Sequence, residues 1–269
     1  SRLVTEAWSS GSNLINVRRS GFGAGTQTAG LAAFGRSPSA SLASSEEYNG
    51  TGWVTGGTAN TARFNMAGSG TQTAAVGSGG YNPPGSPSFV FNNTEDYDGS
   101  SWTNSGALNT GRTACAGFGI QTAAVNVSGY TGPGVVTGAA ENYNGSTWTN
   151  SGALNTTTQK VQGSCGTQAA GLAWGGDPPG AATGSKVTEE YDGSTWTTSN
   201  NTNIDRSYGT RAGTQTAAVC AGGYGEITTT ETYDGTSWST SPATMVTGRK
   251  EFAGADGSNT AAFACGGNL

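Results

Sequence analysis

Short runs of small and apolar residues alternate along the chain with glycine-rich and polar turns. Residues 64–69 and 72–76 form two such runs, joined by a Gly-Thr turn. No long stretch places apolar residues at the i, i+3, i+4, i+7 spacing of an amphipathic helix. Short segments bounded by Gly, Ser, Asn and Asp are typical of strands joined by tight turns. The pattern therefore predicts an all-β protein.

Two motifs recur and divide the chain into repeats. The first, Tyr-(Asp/Asn)-Gly-(Ser/Thr)-x-Trp, begins at Tyr48, Tyr97, Tyr143, Tyr191 and Tyr233. The second, Gly-Thr-Gln-Thr-Ala-Ala or a variant of it, begins at Gly25, Gly70, Gly119, Gly166, Gly213 and Gly257. Consecutive glycines of this set are 44 to 49 residues apart. Because a period of about 40–50 residues is typical of four-stranded propeller blades, the repeats predict a six-bladed β-propeller with four antiparallel strands per blade.

Each repeat carries further recurring residues. An Arg precedes the first strand in most repeats, and the fourth repeat has Gln159-Lys160 at that place. A Glu two residues before the Tyr shares one face of the third strand with it. The Asp-Gly or Asn-Gly pair, for example Asp98-Gly99, predicts a type I′ hairpin turn between the third and fourth strands.

The two ends of the chain look like parts of one repeat. The segment 4–8 resembles the third strand of the fourth repeat, although spacing to Gly25 instead aligns Trp8 with the hairpin Trp. The C-terminus ends on a second strand. With either alignment we expect one domain, 1–269, whose last blade combines residues of about 249–269 with 1–14. Such pairing of N-terminal with C-terminal strands closes the ring and removes exposed sheet edges.

Composition and charge exclude several kinds of function. The net charge of −5 argues against a nucleic-acid partner, because phosphate binding needs a basic surface. No apolar run is long enough for insertion into a membrane. The chain has no His, and its four Cys have no zinc-ligand spacing, so we expect free thiols, no metal site and no cofactor.

The order of motifs resembles that of kelch repeats. Gly175-Gly176, Tyr191, Trp196 and Arg206 follow the kelch order of a double glycine, a Tyr, a Trp and an Arg that opens the next repeat. The double glycine is degenerate in the first and third repeats. The resemblance implies a kelch-like propeller.

The amino-acid sequences of the two repeated motifs also resemble those of repeat proteins from tailed bacteriophages, especially marine ones. Those proteins are mostly virion structural or tail-associated proteins. This resemblance implies a non-catalytic virion module, in a tail, a fibre or on the capsid. Other virion proteins or a host-surface glycan would then be its partners, and a homo-oligomer is possible. The expected location is the virion, or otherwise the cell surface or the secreted fraction.

The loops between second and third strands are the best candidate binding elements, because they vary while the frame repeats. They span 36–45, 81–94, 130–139, 177–186 and 225–228. The candidate binding residues in or beside them are Tyr81, Phe89, Phe91, Tyr130, Trp174, Asp177 and Tyr224. The recurring arginines Arg63, Arg112 and Arg206 would either bond to the inter-blade loops or form an anion- or sugar-binding ring.

Two alternatives stay open beside a virion module. The loop aromatics would also suit a stand-alone carbohydrate-binding propeller. A sialidase-like glycoside hydrolase is a remote alternative, because Asp192-Gly193-Ser194-Thr195-Trp196 approaches an Asp-box turn but lacks the residue between Asp and Gly. No nucleophile with its base is apparent, so we predict that the protein is not an enzyme.

Overall fold

A computed structural model of the chain describes residues 7–82, 90–160, 163–180, 184–252 and 254–268. Its strands form sheets in chain order. The first sheet comprises β1 (Phe22–Thr26), β2 (Ala29–Ala33), β3 (Ser44–Tyr48) and β4 (Trp53–Thr58). The second comprises β5 (Ala67–Gly70), β6 (Ala75–Ser78), β7 (Thr94–Tyr97) and β8 (Trp102–Ser105). The third comprises β9 (Ala116–Ile120), β10 (Ala123–Gly132), β11 (Val135–Tyr143) and β12 (Trp148–Ser151).

The same order continues to the C-terminus. The fourth sheet comprises β13 (Gly163–Thr167), β14 (Ala170–Trp174), β15 (Thr188–Tyr191) and β16 (Trp196–Ser199). The fifth comprises β17 (Ala212–Thr214), β18 (Ala217–Ala221), β19 (Thr229–Tyr233) and β20 (Trp238–Thr244). A two-stranded sheet of β21 (Gly254–Ser258) and β22 (Ala261–Cys265) follows.

The sheets are arranged as the blades of a propeller. Each is an antiparallel meander in chain order, and the first strands of successive sheets lie side by side at the centre. β21 contacts both β17 and β1. The molecule is therefore an all-β propeller, with five complete four-stranded blades and one two-stranded sheet in the described part of the chain. No helix in that part is long and apolar enough to cross a membrane.

The predicted hairpin between third and fourth strands is present, but its turn differs from the prediction. Tyr97 pairs with Trp102, and Gly99 has a φ of 92°. A type I′ turn needs positive φ at both central residues, and Asp98 is not among the residues with positive φ. The prediction of a type I′ turn was therefore wrong. The Asp98 carboxylate instead accepts hydrogen bonds from the amides of Ser100 and Ser101, and these bonds lower its pKa to about 2.

The recurring arginines hold the blades that carry them together from inside. Arg63 donates to the carboxylate of Glu95 at 2.6 Å, and both side chains are fully buried. Burial lowers the pKa of Arg63, and the Glu95 charge opposes that effect. The same buried pair recurs as Arg18–Glu46, Arg112–Glu141 and Arg206–Glu231. Because Arg63, Arg112 and Arg206 are at most 1% exposed, they do not form an open anion-binding ring.

The recurring aromatic residues and glutamines join neighbouring blades. The Trp148 indole donates to Thr94 of the preceding blade at 2.9 Å, and the Tyr143 hydroxyl donates to Asp96 at 2.9 Å. Gln121 donates to two backbone carbonyls of the preceding blade, those of Ala75 and Tyr97. Equivalent contacts recur around the propeller, so these motif residues are structural, as predicted.

The N-terminal segment lies against the fifth blade. Trp8 donates to the Thr230 hydroxyl at 2.9 Å, just as Trp238 donates to Thr188 at 3.0 Å. This contact favours the alignment of Trp8 with the hairpin tryptophans. Residues 7–14 form no strand, and residues 1–6 lie outside the described part.

Two predicted segments differ from the observed ones. The strand predicted at 64–69 begins only at Ala67, because Asn65 has a left-handed φ of 55° that interrupts the extended chain. The predicted loop 130–139 is mostly strand, since β10 and β11 extend beyond the other blades as one long hairpin. All four cysteines are free, and Cys165 and Cys220 are buried.

Candidate functional site

The connections that vary between repeats lie on one face of the propeller, which we call the loop face. In an antiparallel meander, the connection between the second and third strands lies at the end of the sheet where the first strand begins. The crossings between blades reach the same end. The turns between first and second strands, which carry the repeated Gly-Thr-Gln-Thr motif, lie on the opposite face.

Six equivalent residues, which we call the rim residues, lie at the loop-face end of the second strands. Each follows the last glycine of a second strand and pairs through its backbone with the segment preceding a first strand. They are Arg36, Tyr81, Tyr130, Asp177, Tyr224 and Asn268. Their backbones are fixed by the frame, and their side chains are Tyr at three positions and Arg, Asp or Asn at the others.

A second set, the mouth residues, lies closer to the axis, one just before each first strand. They are Ser20, Asn65, Ala114, Lys160, Tyr208 and Glu251, all with φ between 53° and 62°. Backbone hydrogen bonds of 2.7–3.0 Å join them in the order Tyr208, Glu251, Ser20, Asn65, Ala114, Lys160. The left-handed conformation directs the backbone into the first strand of each blade. It also lets each mouth residue form a backbone hydrogen bond with the mouth residue of the neighbouring blade.

The mouth residues surround an axial cavity of about 100 Å³. Arg211, which immediately precedes β17, lines this cavity and extends across the axis. Its guanidinium donates to the carbonyl of Gly117 at 2.9 Å and to that of Gly68 at 2.8 Å, on the third and second blades. Burial lowers the pKa of Arg211. The side chain thus connects three blades.

Charged side chains at the mouth are paired with each other. Lys160 contacts Asp177 at 3.0 Å and lies 5.1 Å from the centre of the Tyr208 ring. Although burial acts to lower the pKa of Lys160, the hydrogen bond to Asp177 and the neighbouring charges raise it overall. Burial raises the pKa of Tyr208. Glu251 contacts Arg19 at 3.0 Å.

Asp256 on β21 lies near the axis, and the pKa of its carboxyl differs strongly from the ordinary value. Burial raises its pKa to about 7, although the Arg211 charge and the amides of Gly257 and Gly25 act in the opposite direction. The Gly257 amide donates to its carboxylate at 2.8 Å. This carboxylate therefore changes charge in the neutral pH range.

Four of the predicted binding residues are rim residues. Tyr224 is the most exposed of them, at 48%, and the Lys250 ammonium lies 4.8 Å from the centre of its ring. Tyr81 and Tyr130 are half-buried, and the Tyr130 hydroxyl accepts a hydrogen bond from the Gly134 amide. Asp177 is only 5% exposed and is held by Lys160.

Of the other predicted aromatic residues, Trp174 does not join this surface. Trp174 is 1% exposed and packs against Trp238, with ring centres 5.1 Å apart, so its prediction as a loop-face aromatic was wrong. It lies at the end of β14, where the side chain turns into the interface with the fifth blade. Phe91 is half-buried, and its backbone bonds to Gly80 and Arg112. Phe89 lies outside the described residues.

The sequence reasoning missed the residues around the axis. Arg211 occupies a position that is Gly23, Gly68, Gly117 or Ser164 in other repeats. Its charge in a row of small residues is the signal that could have identified it. Lys160, Tyr208 and Glu251 could have been found in the same way, as large polar residues at one position of the repeat.

The charged groups at the mouth are engaged with neighbouring side chains. The mouth carboxylate and ammonium are each held in an ion pair, and the recurring arginines are buried. The described residues contain no group of three or more side chains placed to hold a metal ion. The expectations of no cofactor and no catalysis stay predictions.

Comparison with known proteins identifies the fold. No family model matches the chain, and no curated protein matches it. The chain is similar to the solved structure of YjhT, with a TM-score of 0.77 and 12% sequence identity. The match covers 96% of this chain and 92% of that one. At this identity the likeness shows the propeller fold alone.

Proposed function

We propose that the protein is a non-catalytic binding module that presents its loop face to a partner. One observation carries this proposal. The side chains that recur between repeats are used between or within blades, whereas those that differ gather on the loop face. The buried Arg63–Glu95 pair and the Trp148–Thr94 bond represent the recurring set, and the rim and mouth residues represent the variable set.

The partner we propose is a component of a virion or a glycan on its host. The resemblance of the repeated motifs to those of tailed-bacteriophage proteins supports a tail, fibre or capsid-associated location. A rigid disc with one variable face suits such a structural or adhesive role, since rigid frames commonly carry binding loops. A homo-oligomer is compatible with the same surface.

The finer architecture belongs to the same proposal: six blades, of which the last combines β21 and β22 with the N-terminal residues. Three contacts support this closure. β21 lies between β17 and β1, the Ser20 amide donates to the Glu251 carbonyl at 2.8 Å, and the Gly267 amide donates to the Arg18 carbonyl at 3.1 Å. Trp8 then stands where the hairpin Trp of a sixth blade belongs. The whole of 1–269 would be one domain.

Immunogold labelling of purified particles tests the proposed location. An antibody to this chain should label particles at one structural position. Labelling that stays in the host lysate and never follows the particles through a density gradient would contradict a virion role.

Variants of the loop face test the proposed surface. Tyr224→Ala should weaken binding to particles stripped of this chain or to glycans on an array, because Tyr224 is the exposed rim aromatic. Ile120→Ala is the matched control, since Ile120 is 55% exposed at the end of β9 on the opposite face. Equal loss of binding in both variants would contradict a loop-face site.

Glycan binding is the second candidate, and the environment of Tyr224 favours it. An exposed aromatic ring can stack on the apolar face of a sugar, and Lys250 and Glu226, which contact each other at 2.6 Å, lie beside it to bond hydroxyls. A glycan array with Tyr224→Ala as comparison distinguishes this role. Binding to particle proteins in the absence of any array signal would favour an assembly role instead.

A further inference from the structure

The fourth blade lacks the arginine that neutralises the buried glutamate of the other complete blades. Residue-by-residue alignment of the blades, anchored on the mouth residues, places Thr158 where the others have Arg18, Arg63, Arg112 or Arg206. The sequence interpretation placed Gln159 and Lys160 there, but Lys160 is a mouth residue and binds Asp177. The correction leaves Glu189 without its usual partner.

Glu189 nevertheless keeps the environment of a buried anion. It is 2% exposed. It accepts hydrogen bonds from the Asn155 amide at 2.7 Å, the Asn155 side chain at 3.0 Å and the Thr156 amide at 2.8 Å. Within the described residues, no Lys or Arg forms an ion pair with it. A buried carboxylate without a countercharge is costly, because the missing hydration is only partly replaced by dipoles.

A small cavity lies where the guanidinium would be. Its volume is about 10 Å³, and Thr158, Gly175, Val187 and Glu189 are among the residues that line it. A space of roughly 10–15 Å³ holds one water-sized particle. The cavity therefore admits a single small ion or one water, but not a larger ligand without rearrangement.

The other blades show which atoms face this space. Arg18 donates to the carbonyls of Phe34 and Ser44, which correspond to those of Gly175 and Val187 in the fourth blade. Arg206 donates to the Gly222 carbonyl, which again corresponds to that of Gly175. The residues that border the cavity thus include one glutamate, Glu189, and two residues, Gly175 and Val187, whose equivalents in other blades accept hydrogen bonds from a guanidinium through their backbone carbonyls.

We propose that the fourth blade binds a monovalent cation, of the size of potassium, sodium or ammonium, against Glu189. Oxygen donors suit hard cations, and a single carboxylate is balanced by a single positive charge. The cation takes the electrostatic role that a guanidinium has in the other blades. This site is separate from the loop face and does not depend on the proposed binding function.

Thermal unfolding in different chloride salts tests this site. In about 100 mM potassium, sodium or ammonium chloride, at least one salt should raise the Tm by about 2 °C or more relative to choline chloride of equal ionic strength. Choline is too large for the cavity, so it controls for screening. Thr158→Arg should raise the Tm in choline and remove the difference between salts, because its guanidinium occupies the site.

Two further variants keep the test decisive. Thr157→Arg adds the same charge at the exposed neighbouring position and should keep the wild-type response to salts. Glu189→Gln should abolish the response even if Thr158→Arg folds poorly. An equal salt response in wild type and Glu189→Gln, or none in wild type, would overturn the proposal.

Crystals soaked in thallium(I) acetate give the direct readout. An anomalous peak should lie beside the Glu189 carboxylate in wild type and be absent from Thr158→Arg. Thallium peaks only elsewhere, with a water beside Glu189, would overturn the proposal.

Discussion

A missing hydroxyl on the third blade gives a sharp prediction about stability. The indoles of Trp102, Trp148 and Trp238 each donate to a Ser or Thr hydroxyl on the third strand of the preceding blade. At the blade interface of Trp196, the position of this Ser or Thr is occupied by Ala140. The Trp196 indole N–H is therefore buried without a partner in the described part of the chain. Ala140→Thr should supply the hydroxyl in a position that three other blade interfaces accept.

The magnitude follows from the burial of both groups. Trp196 is 6% exposed and Ala140 is 1% exposed, so the new bond forms away from water. A buried polar group without a partner costs about 1–3 kcal/mol, and a new bond contributes about 0.5–1.5 kcal/mol net. We therefore expect Ala140→Thr to raise the free energy of unfolding by about 1 kcal/mol, which corresponds to roughly 2–4 °C in Tm.

Calorimetry and urea unfolding of matched variants check this expectation. Ala140→Val adds nearly the same volume without the hydroxyl and should bring no gain. Thr94→Val, the reverse change, should cost about 1–3 kcal/mol because it leaves the Trp148 N–H unpaired. The gain from Ala140→Thr should disappear in a Trp196→Phe background. If Ala140→Val stabilises as much as Ala140→Thr, the reasoning is refuted.

Three further changes test other parts of the structure. Because the pKa of Asp256 is about 7 in the folded state and its ordinary value is 3.8, the folded state keeps a proton that the unfolded state releases, and stability falls as pH rises between these values. Asp256→Asn should therefore raise the Tm at pH 8 by removing a cost of at most about 4 kcal/mol, with little effect at pH 4; equal shifts at both pH values would contradict this. Glu95→Leu should cost about 3–5 kcal/mol by leaving Arg63 buried and unpaired, and adding Arg63→Met should recover much of the loss in urea unfolding, whereas no recovery would count against the pair. Asn259→Gln should raise the Tm slightly, since glutamines at this position in other repeats reach the preceding blade, and an unchanged or lower Tm would show that this interface differs.

Much of the frame was predictable because its residues act locally. The Tyr-Asp-Gly-Ser-x-Trp motif contains both the turn and the first pair of the hairpin, so Tyr97 and Trp102 could be placed opposite each other from sequence. The structural role of the recurring tyrosines and tryptophans followed from their presence in every repeat. The long hairpin of β10 and β11 was missed because its glycines and its Pro133-Gly134 turn resemble a loop.

The candidate site was less predictable because it depends on contacts between distant repeats. Tyr224 was correctly placed on the loop face, but Trp174 was not, since burial against Trp238 is decided by the neighbouring blade. The buried role of Arg63 also depends on a partner, Glu95, that is 32 residues away in sequence. Arg211 reaches two other blades, and no local pattern reveals such a contact.

A section perpendicular to the axis, from an experimental map at side-chain resolution, tests the proposed architecture most directly. We predict six spokes, with β21 between β17 and β1 and with Trp8 at the outer part of the sheet that β21 and β22 begin. Five spokes, a gap between the first and last sheets, or Trp8 on another part of the molecule would contradict it.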